Sequence, residues 1–248
     1  MTQLFPGPIV ITGANGGLGS TLVSDLLDAG ITNLACQYRS GVDTIAGILA
    51  EHGLNPVDHL FQAELTREED VLALQSAIES RLGAPWGLVN LAGGSSNAMS
   101  WKMSLADFTN ILHANLVSTF LTTRAFLPAM RERGGGRIIN VSSIVAHTGV
   151  AGASHYCAAK AGIEGFTRAV AQEAASKKVT VNALALGYFD KGIISEVPEE
   201  ILVGIKARIP MRRLGSASEI EPLVSYLLSP AAAFMTGQVI HLNGGHYA

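Results

Sequence analysis

The stretch PIVITGANGGLG, Pro8 to Gly19, decides the fold. Its first part, PIVIT (8–12), is short and apolar and reads as a buried strand. TGANGGLG (12–19) then turns on glycines and opens a helix that continues to about Ala29. Gly13, Gly17 and Gly19 remove side chains where a backbone must come close to something. The N-terminus of a helix offers amide donors and a partial positive charge, which suits a pyrophosphate. A tight turn with packing glycines is the plainer explanation. The strand–turn–helix context favours a dinucleotide, with Asn15 and Leu18 of the same turn as further contacts. The spacing is G-xxx-G-x-G rather than the general G-x-G-x-x-G fingerprint.

A ribose-binding acid is expected about 20 residues on, at the end of the second strand. The chain has QYRS there, with Arg39 and Ser40 and no carboxylate. A guanidinium and a hydroxyl suit a 2′-phosphate, so the expected cofactor is NADP(H) rather than NAD(H).

Working outward, short β-rich runs alternate with longer helical patterns. Strands are expected at NLACQY (33–38), within DHLFQAEL (58–65), and at WGLVNLAG (86–93), RIINVSS (137–143), VTVNALA (179–185) and QVIHLNGG (238–245). Helices are expected at 42–52, at 67–82 with an acidic first turn, and at 104–133 with a bend at Pro128. Three more are expected from 153 to about 176, around 198–207, and at 217–229 with Pro222 early. Residues 187–215 are otherwise irregular. No repeat or linker divides the 248 residues, so the reading is a single domain, 1–248. It is α/β, with about seven parallel strands, helices on both faces and right-handed crossovers.

Composition narrows the classes. With a net charge of −3, a nucleic-acid footprint is not expected. Apolar runs are too short and broken to cross a membrane. The start, MTQLFPGPIVITG, lacks the pattern of a signal peptide. Cys36 and Cys157 form no metal or disulfide spacing, and the seven histidines show no HxxxH or HExxH pattern, so no metal is expected. His147 and His155 read as polar or pocket-lining residues. Together these point to a reducing cytoplasm. Charged residues make up only 15%, which points to surface covered by a cofactor or by other subunits.

SHYCAAK (154–160) puts a phenol and an ammonium on one helix face, one turn apart. A cation beside a phenol is expected to lower its pKa from about 10, making Tyr156 a proton donor and acceptor. Cys157 lies about 100° round the helix and reads as packing.

These segments resemble the short-chain dehydrogenases/reductases over nearly the whole chain. TGANGGLG is similar to their cofactor loop, NLAG (90–93) to their NNAG stretch, and NVSS (140–143) and YCAAK to their active-site strand and helix. The resemblance implies a Rossmann-like fold and a catalytic set of Asn115 in HANL, Ser143, Tyr156 and Lys160. Ser143 is thirteen residues before Tyr156. Neighbours on a strand point oppositely, so only one of Ser142 and Ser143 faces the pocket, and the spacing selects Ser143. Tyr156 would protonate a ketone oxygen as hydride arrives. Lys160 would tune Tyr156 and hold the nicotinamide ribose, Ser143 would polarise the carbonyl, and Asn115 would order a water. Glu64, Leu65, Asn90, Ala92, Gly93 and Gly187 join the cofactor contacts on the same grounds.

RIINVSS, IPMRRLG and HLNGG are most similar to the 3-oxoacyl-[acyl-carrier-protein] reductases. That implies an NADPH-dependent reduction of a β-ketoacyl thioester. Other alcohol or ketone dehydrogenases, or a non-catalytic dinucleotide-binding subunit, are the alternatives. The resemblance further implies a homotetramer. It also implies an acyl-carrier protein partner, met near the pocket mouth by Arg131, Arg133, Lys177 and Lys178; the alternative is that these cations complement the C-terminal ends of their own helices. The chain departs from the family at Leu91, where a strand-tying asparagine is usual, at Glu64 for Asp, at Leu186 for Pro, and at Lys191 for Thr, where a cation is within reach of cofactor phosphates or of a carboxylated substrate.

Overall fold

The computed structural model describes residues 5–192, 194 and 197–248. Residues 1–4 of the segment read for a leader, and 193, 195 and 196 of the irregular stretch, lie outside the described residues.

The described residues form one seven-stranded sheet. The strands are β1 (Ile9–Ile11), β2 (Leu34–Tyr38), β3 (Leu60–Gln62), β4 (Gly87–Asn90), β5 (Gly136–Ser143), β6 (Val179–Leu186) and β7 (Val239–Leu242). Their order is β3-β2-β1-β4-β5-β6-β7, and every pairing is parallel. Parallel neighbours need crossovers, and helices supply them.

Alternation along each strand sends side chains to two cores. Ile9 and Ile11 pack with α1 (Gly17–Asp28), α2 (Asp43–Glu51) and α10 (Glu221–Leu228) through Leu22, Leu26, Ile45, Leu49, Val224 and Leu227. Val10 and Leu88 pack on the other face. There they meet α4 (Glu68–Leu82), α6 (Ser118–Arg133) and α8 (Ser154–Ala174) through Leu74, Ile78, Phe126, Met130 and Val170. Both faces are covered, which is why the strands read as unbroken apolar runs. The short helices α3 (Pro56–His59) and α7 (Val145–Thr148), α5 (Leu105–Leu112) and α9 (Glu199–Arg208) complete the set used below. Among the described residues no helix is long and apolar enough to cross a membrane.

Three elements differ from expectation. The helix expected at 104–133 is α5 and α6 joined by a π-helical turn, His113–Val117, and it runs through Pro128. The helix expected from 217 begins as a 3-10 turn, Ala217–Glu219, where Ser216 and Glu219 cap each other reciprocally. The basic patch lies at the amino ends of β5 and β6, away from the carboxyl ends where this chain's own pocket opens. Arg133 ends α6 just before β5 and donates to the carbonyls of Ala84 and Pro85. Lys177 and Lys178 precede β6. Eight residues of β5, about 3.3 Å each, separate that end from Ser143. Cations there are roughly 25 Å from this chain's own pocket.

Candidate active site

From β1 the chain moves to β2 and β3 on one side, then returns to β4 on the other. The loops leaving β1 and β4 therefore part, and a crevice opens at their carboxyl ends. A cavity of about 1010 Å³ lies there. That is at the upper end for ligand pockets, about 300–1,000 Å³, and suits more than one small molecule.

Glycines form one wall. Gly13 has φ +67°, and a Cβ on it would stand 2.9 Å from Ala92 Cα. A Cβ on Gly17 would meet Gly192 N at 2.7 Å, and one on Gly19 would collide with Gly13 O. Gly19 is thus a packing glycine as well as a cavity residue. The α1 N-terminus has no side-chain cap at Gly16 and no acid in its first turn. Its amides are left for a ligand, so the residues present fit a dinucleotide pyrophosphate.

Two polar side chains brace this loop. Gln37 accepts from Gly13 N at 2.9 Å and donates to Ala63 O at 2.8 Å. Asn15 accepts from Ile45 N at 3.2 Å, tying the loop to α2. Sequence reading missed Gln37. A polar residue inside the otherwise apolar second strand was the available signal.

Arg39 and Ser40 are exposed on the cavity rim beyond β2. Glu64 and Leu65 line the same end. The Glu64 carboxylate, however, accepts from Thr66 N at 3.1 Å and Thr66 Oγ1 at 2.9 Å, so it caps its own turn. Ala92, Gly93 and Gly187 also line the cavity. Gly187 has a packing reason too, since a Cβ there would approach Asn243 Cα to 2.7 Å. Asn90 is the exception among the expected cofactor residues. It is 3% exposed, does not line the cavity, and bonds instead to Asn140, Thr122 and Thr123. Leu91 costs less than its family position suggested, because Thr12 Oγ1 accepts from both Leu91 N and Ala92 N at 3.0 Å. Leu186 packs in the core beside β7.

Asn115, Ser143, Tyr156 and Lys160 all line the cavity. Asn115 sits on the π-helical turn, fully buried. Its Nδ2 donates to Gly94 O and Ile111 O, both at 2.9 Å, while its Oδ1 is buried with no partner. A Cβ on Gly93 would collide with that oxygen and lie 3.7 Å from Lys160 Nζ. An orphaned acceptor beside an ammonium is a place for a water or a ligand hydroxyl. π-Turns inside α-helices occur often at functional sites, and nothing in HANLV announces one.

Ser142 and Ser143 divide as the strand period requires. Ser142 is buried and donates to Lys160 O and Glu164. Ser143 ends β5 within hydrogen-bond reach of Tyr156. Lys160 is 4% exposed, donates to Val141 O at 2.8 Å, and lies 5.5 Å from the centre of the Tyr156 ring. Here the expected electrostatics fail. Burial pushes the Tyr156 phenol up to about 12, opposed by the Ser143 hydrogen bond. Burial likewise pushes Lys160 down to about 8. Burial sets the direction at both groups.

His155 is fully buried and its Nε2 meets Ser96 Oγ at 2.9 Å. With Ala98 N to Gly152 O, it fastens the loop after β4 over the head of α8. His147 bonds the buried Glu164 at 3.0 Å and stacks on Tyr247. Cys36 is a core thiol pushed up to about 12 by burial, and Cys157 is half-buried on α8.

The comparisons agree with this geometry. The family profile described as enoyl-(acyl carrier protein) reductase matches residues 13–247. A nodulation protein G of Rhizobium sp. (strain N33) is 37% identical over 99% of this chain and 98% of its own. A 3-oxoacyl-[acyl-carrier-protein] reductase of Pseudomonas aeruginosa is 36% identical over 96% of both chains. An acetoacetyl-CoA reductase of Acinetobacter sp. (strain RA3849) is 35% identical over the same shares. With its all-parallel seven-stranded sheet and a profile match over almost its entire length, the chain belongs to the short-chain dehydrogenase/reductase family of oxidoreductases.

Proposed function

We propose that the protein is an NADP(H)-dependent ketoreductase that reduces a β-ketoacyl thioester of the 3-oxoacyl-carrier type to the β-hydroxyacyl product. The observation that carries this is the meeting of Asn115, Ser143, Tyr156 and Lys160 in one cavity with the glycine wall of α1. When bound, the cofactor supplies the hydride. Tyr156, whose phenol keeps its proton well past neutral pH, is set up as a general acid for the ketone oxygen. Ser143 donates to the same oxygen, as an oxyanion-hole group does. The Lys160 ammonium stabilises the phenolate left behind, and Asn115 Oδ1 holds a water through which Lys160 returns the proton. Arg39 and Ser40 take the 2′-phosphate.

The substrate end of the cavity is apolar, with Val150, Ile194, Val197 and Ile201 among its lining. That suits an acyl chain. Relatives named for carrier-protein and for CoA substrates match almost equally. The thioester is therefore proposed as the shared class and the carrier protein as the form used. Catalysis rests on one domain, 1–248. A homotetramer is proposed from the groove of about 540 Å³ between α6 and α8, where Phe120 is 40% exposed beside Phe166.

The test is loss of reduced-nicotinamide absorbance with a β-ketoacyl thioester, carrier-linked and CoA-linked. Tyr156→Phe should lower turnover by about a hundred- to ten-thousandfold with cofactor binding intact. A variant keeping more than half the rate would remove Tyr156 as the acid. No turnover of any thioester by the wild type would favour a non-catalytic dinucleotide-binding subunit.

A further inference from the structure

One cavity-lining cation has no part in that reading. Lys191 follows β6 and is exposed. Its Cβ lies 3.6 Å from where a Cβ on Gly17 would stand, so its stem starts beside the first residue of α1. Its Nζ donates to Thr21 Oγ1 at 2.9 Å, and Thr21 Oγ1 donates to Gly17 O at 3.1 Å. The ammonium is thereby held against the first turns of α1. That first turn holds no acid, and its N-cap is a glycine. A cation at the positive end of a helix dipole is unfavourably placed by itself. The arrangement becomes favourable when an anion lies between the two.

We propose that Lys191 is a cofactor-binding residue whose ammonium neutralises the pyrophosphate at the head of α1. This rests on the dinucleotide reading above and adds a residue to it. The flexible four-carbon stem lets the head leave Thr21 for a phosphate oxygen by bond rotation alone. The direction of the effect separates Lys191 from Arg39. A pyrophosphate is common to NADH and NADPH, whereas a 2′-phosphate belongs to NADPH only. Lys191 therefore contributes affinity for both cofactors equally and adds nothing to the choice between them.

The experiment is a fluorescence titration of wild-type protein, Lys191→Gln, Lys191→Thr and Lys191→Arg with NADPH and with NADH, at low and high ionic strength, without a carbonyl substrate. Both neutral variants should bind each cofactor about tenfold more weakly, as loss of one charge-assisted contact implies. Their affinities should depend less on salt than those of the wild type, and Lys191→Arg should bind as the wild type does. Thermal unfolding of the free neutral variants should match or slightly exceed that of the wild type, since the side chain is exposed and its charge sits at the positive end of α1. Dissociation constants within twofold of wild type for both cofactors would overturn the proposal, as would a loss confined to one of them. Unchanged cofactor binding, with a raised KM for the thioester in a separate turnover assay, would overturn the proposal and assign the cation to the substrate. A wild-type protein that binds neither cofactor would overturn the dinucleotide reading and this proposal with it.

Discussion

Replacing Lys160 with Met should stabilise the protein at neutral pH, and the advantage should vanish in alkali. The Lys160 ammonium is buried at 4% exposure, and burial pushes it from an ordinary 10.5 down to about 8. At about 1.36 kcal/mol per pH unit, holding the charge inside costs about 3 kcal/mol. The sign follows from proton counting. Below pH 8 folded and unfolded chains both carry the proton, and the cost is complete. Between pH 8 and 10.5 the unfolded chain holds a proton that the folded chain has released, so stability rises with pH. Methionine keeps the apolar stem and removes the charge. It also removes the bond to Val141 O at 2.8 Å, worth about 1 kcal/mol. The variant should then be about 2 kcal/mol more stable than wild type at pH 7 and about 1 kcal/mol less stable at pH 10.5. Urea unfolding of both chains at the two pH values measures this. Titrations elsewhere, including that of Tyr156, are common to both chains and largely cancel in the difference. A stability difference that stays the same within about 0.5 kcal/mol across the range would refute the claim that burial burdens this lysine.

Arg39→Ala should weaken NADPH while leaving NADH little changed in a binding titration, and equal losses would make Arg39 structural. Glycine contacts set up a pair of opposite outcomes. Gly19→Ala would drive a Cβ into Gly13 O and to 3.0 Å from Ala14 Cα, both backbone, at a cost of about 1–3 kcal/mol. Gly47→Ala meets nothing within 4 Å inside α2 and should gain about 0.4–1 kcal/mol. Thermal unfolding that ranks the two alike would contradict the close approach at Gly19. Light scattering at micromolar concentration should give a tetramer mass, and a monomer mass would reject the α6–α8 groove as an interface between copies.

The layout of the sheet was legible because both faces of the inner strands are buried, so apolar runs and glycine turns mark them directly. Strand ends were less so. QVIHLNGG pairs only over Val239–Leu242, because β6 ends at Leu186 opposite Leu242, which a single run of residues does not record. Ser143, Tyr156 and Lys160 were legible through spacing on one strand and one helix, and Asn115 through the resemblance; the structure brings all four to one cavity. Their electrostatics were not legible. Spacing puts Tyr156 near Lys160, but the depth of burial that decides both pKa values comes from β5 and the loop after β4 folding over them. The basic patch failed for a related reason. Helix-end cations are visible in sequence, whereas the end of the strands they occupy depends on strand direction.

The i, i+4 pair becomes a site only because α8 is fixed in rotation. A shift of one residue along the helix turns its face by about 100° and would present Cys157 in place of Tyr156. Two sets of buried bonds hold the setting. Ser142 donates to Lys160 O at 3.2 Å and to Glu164 at 2.8 Å, from the strand position next to Ser143. Two turns on, Asn140 donates to Thr167 Oγ1 at 2.9 Å. Asn140 in turn accepts from Asn90 at 2.9 Å, and Asn90 accepts from Thr122 at 2.7 Å, so β4, β5, α6 and α8 share one polar ladder inside apolar packing. Such a ladder discriminates against misregister, since any slip leaves buried amides unpaired. This gives Asn90 its purpose away from the cavity. It also explains why the chain functions structurally with Leu91 beside it: the tie between strands runs through Asn90 and Thr12, and the neighbouring side chain is free to be apolar.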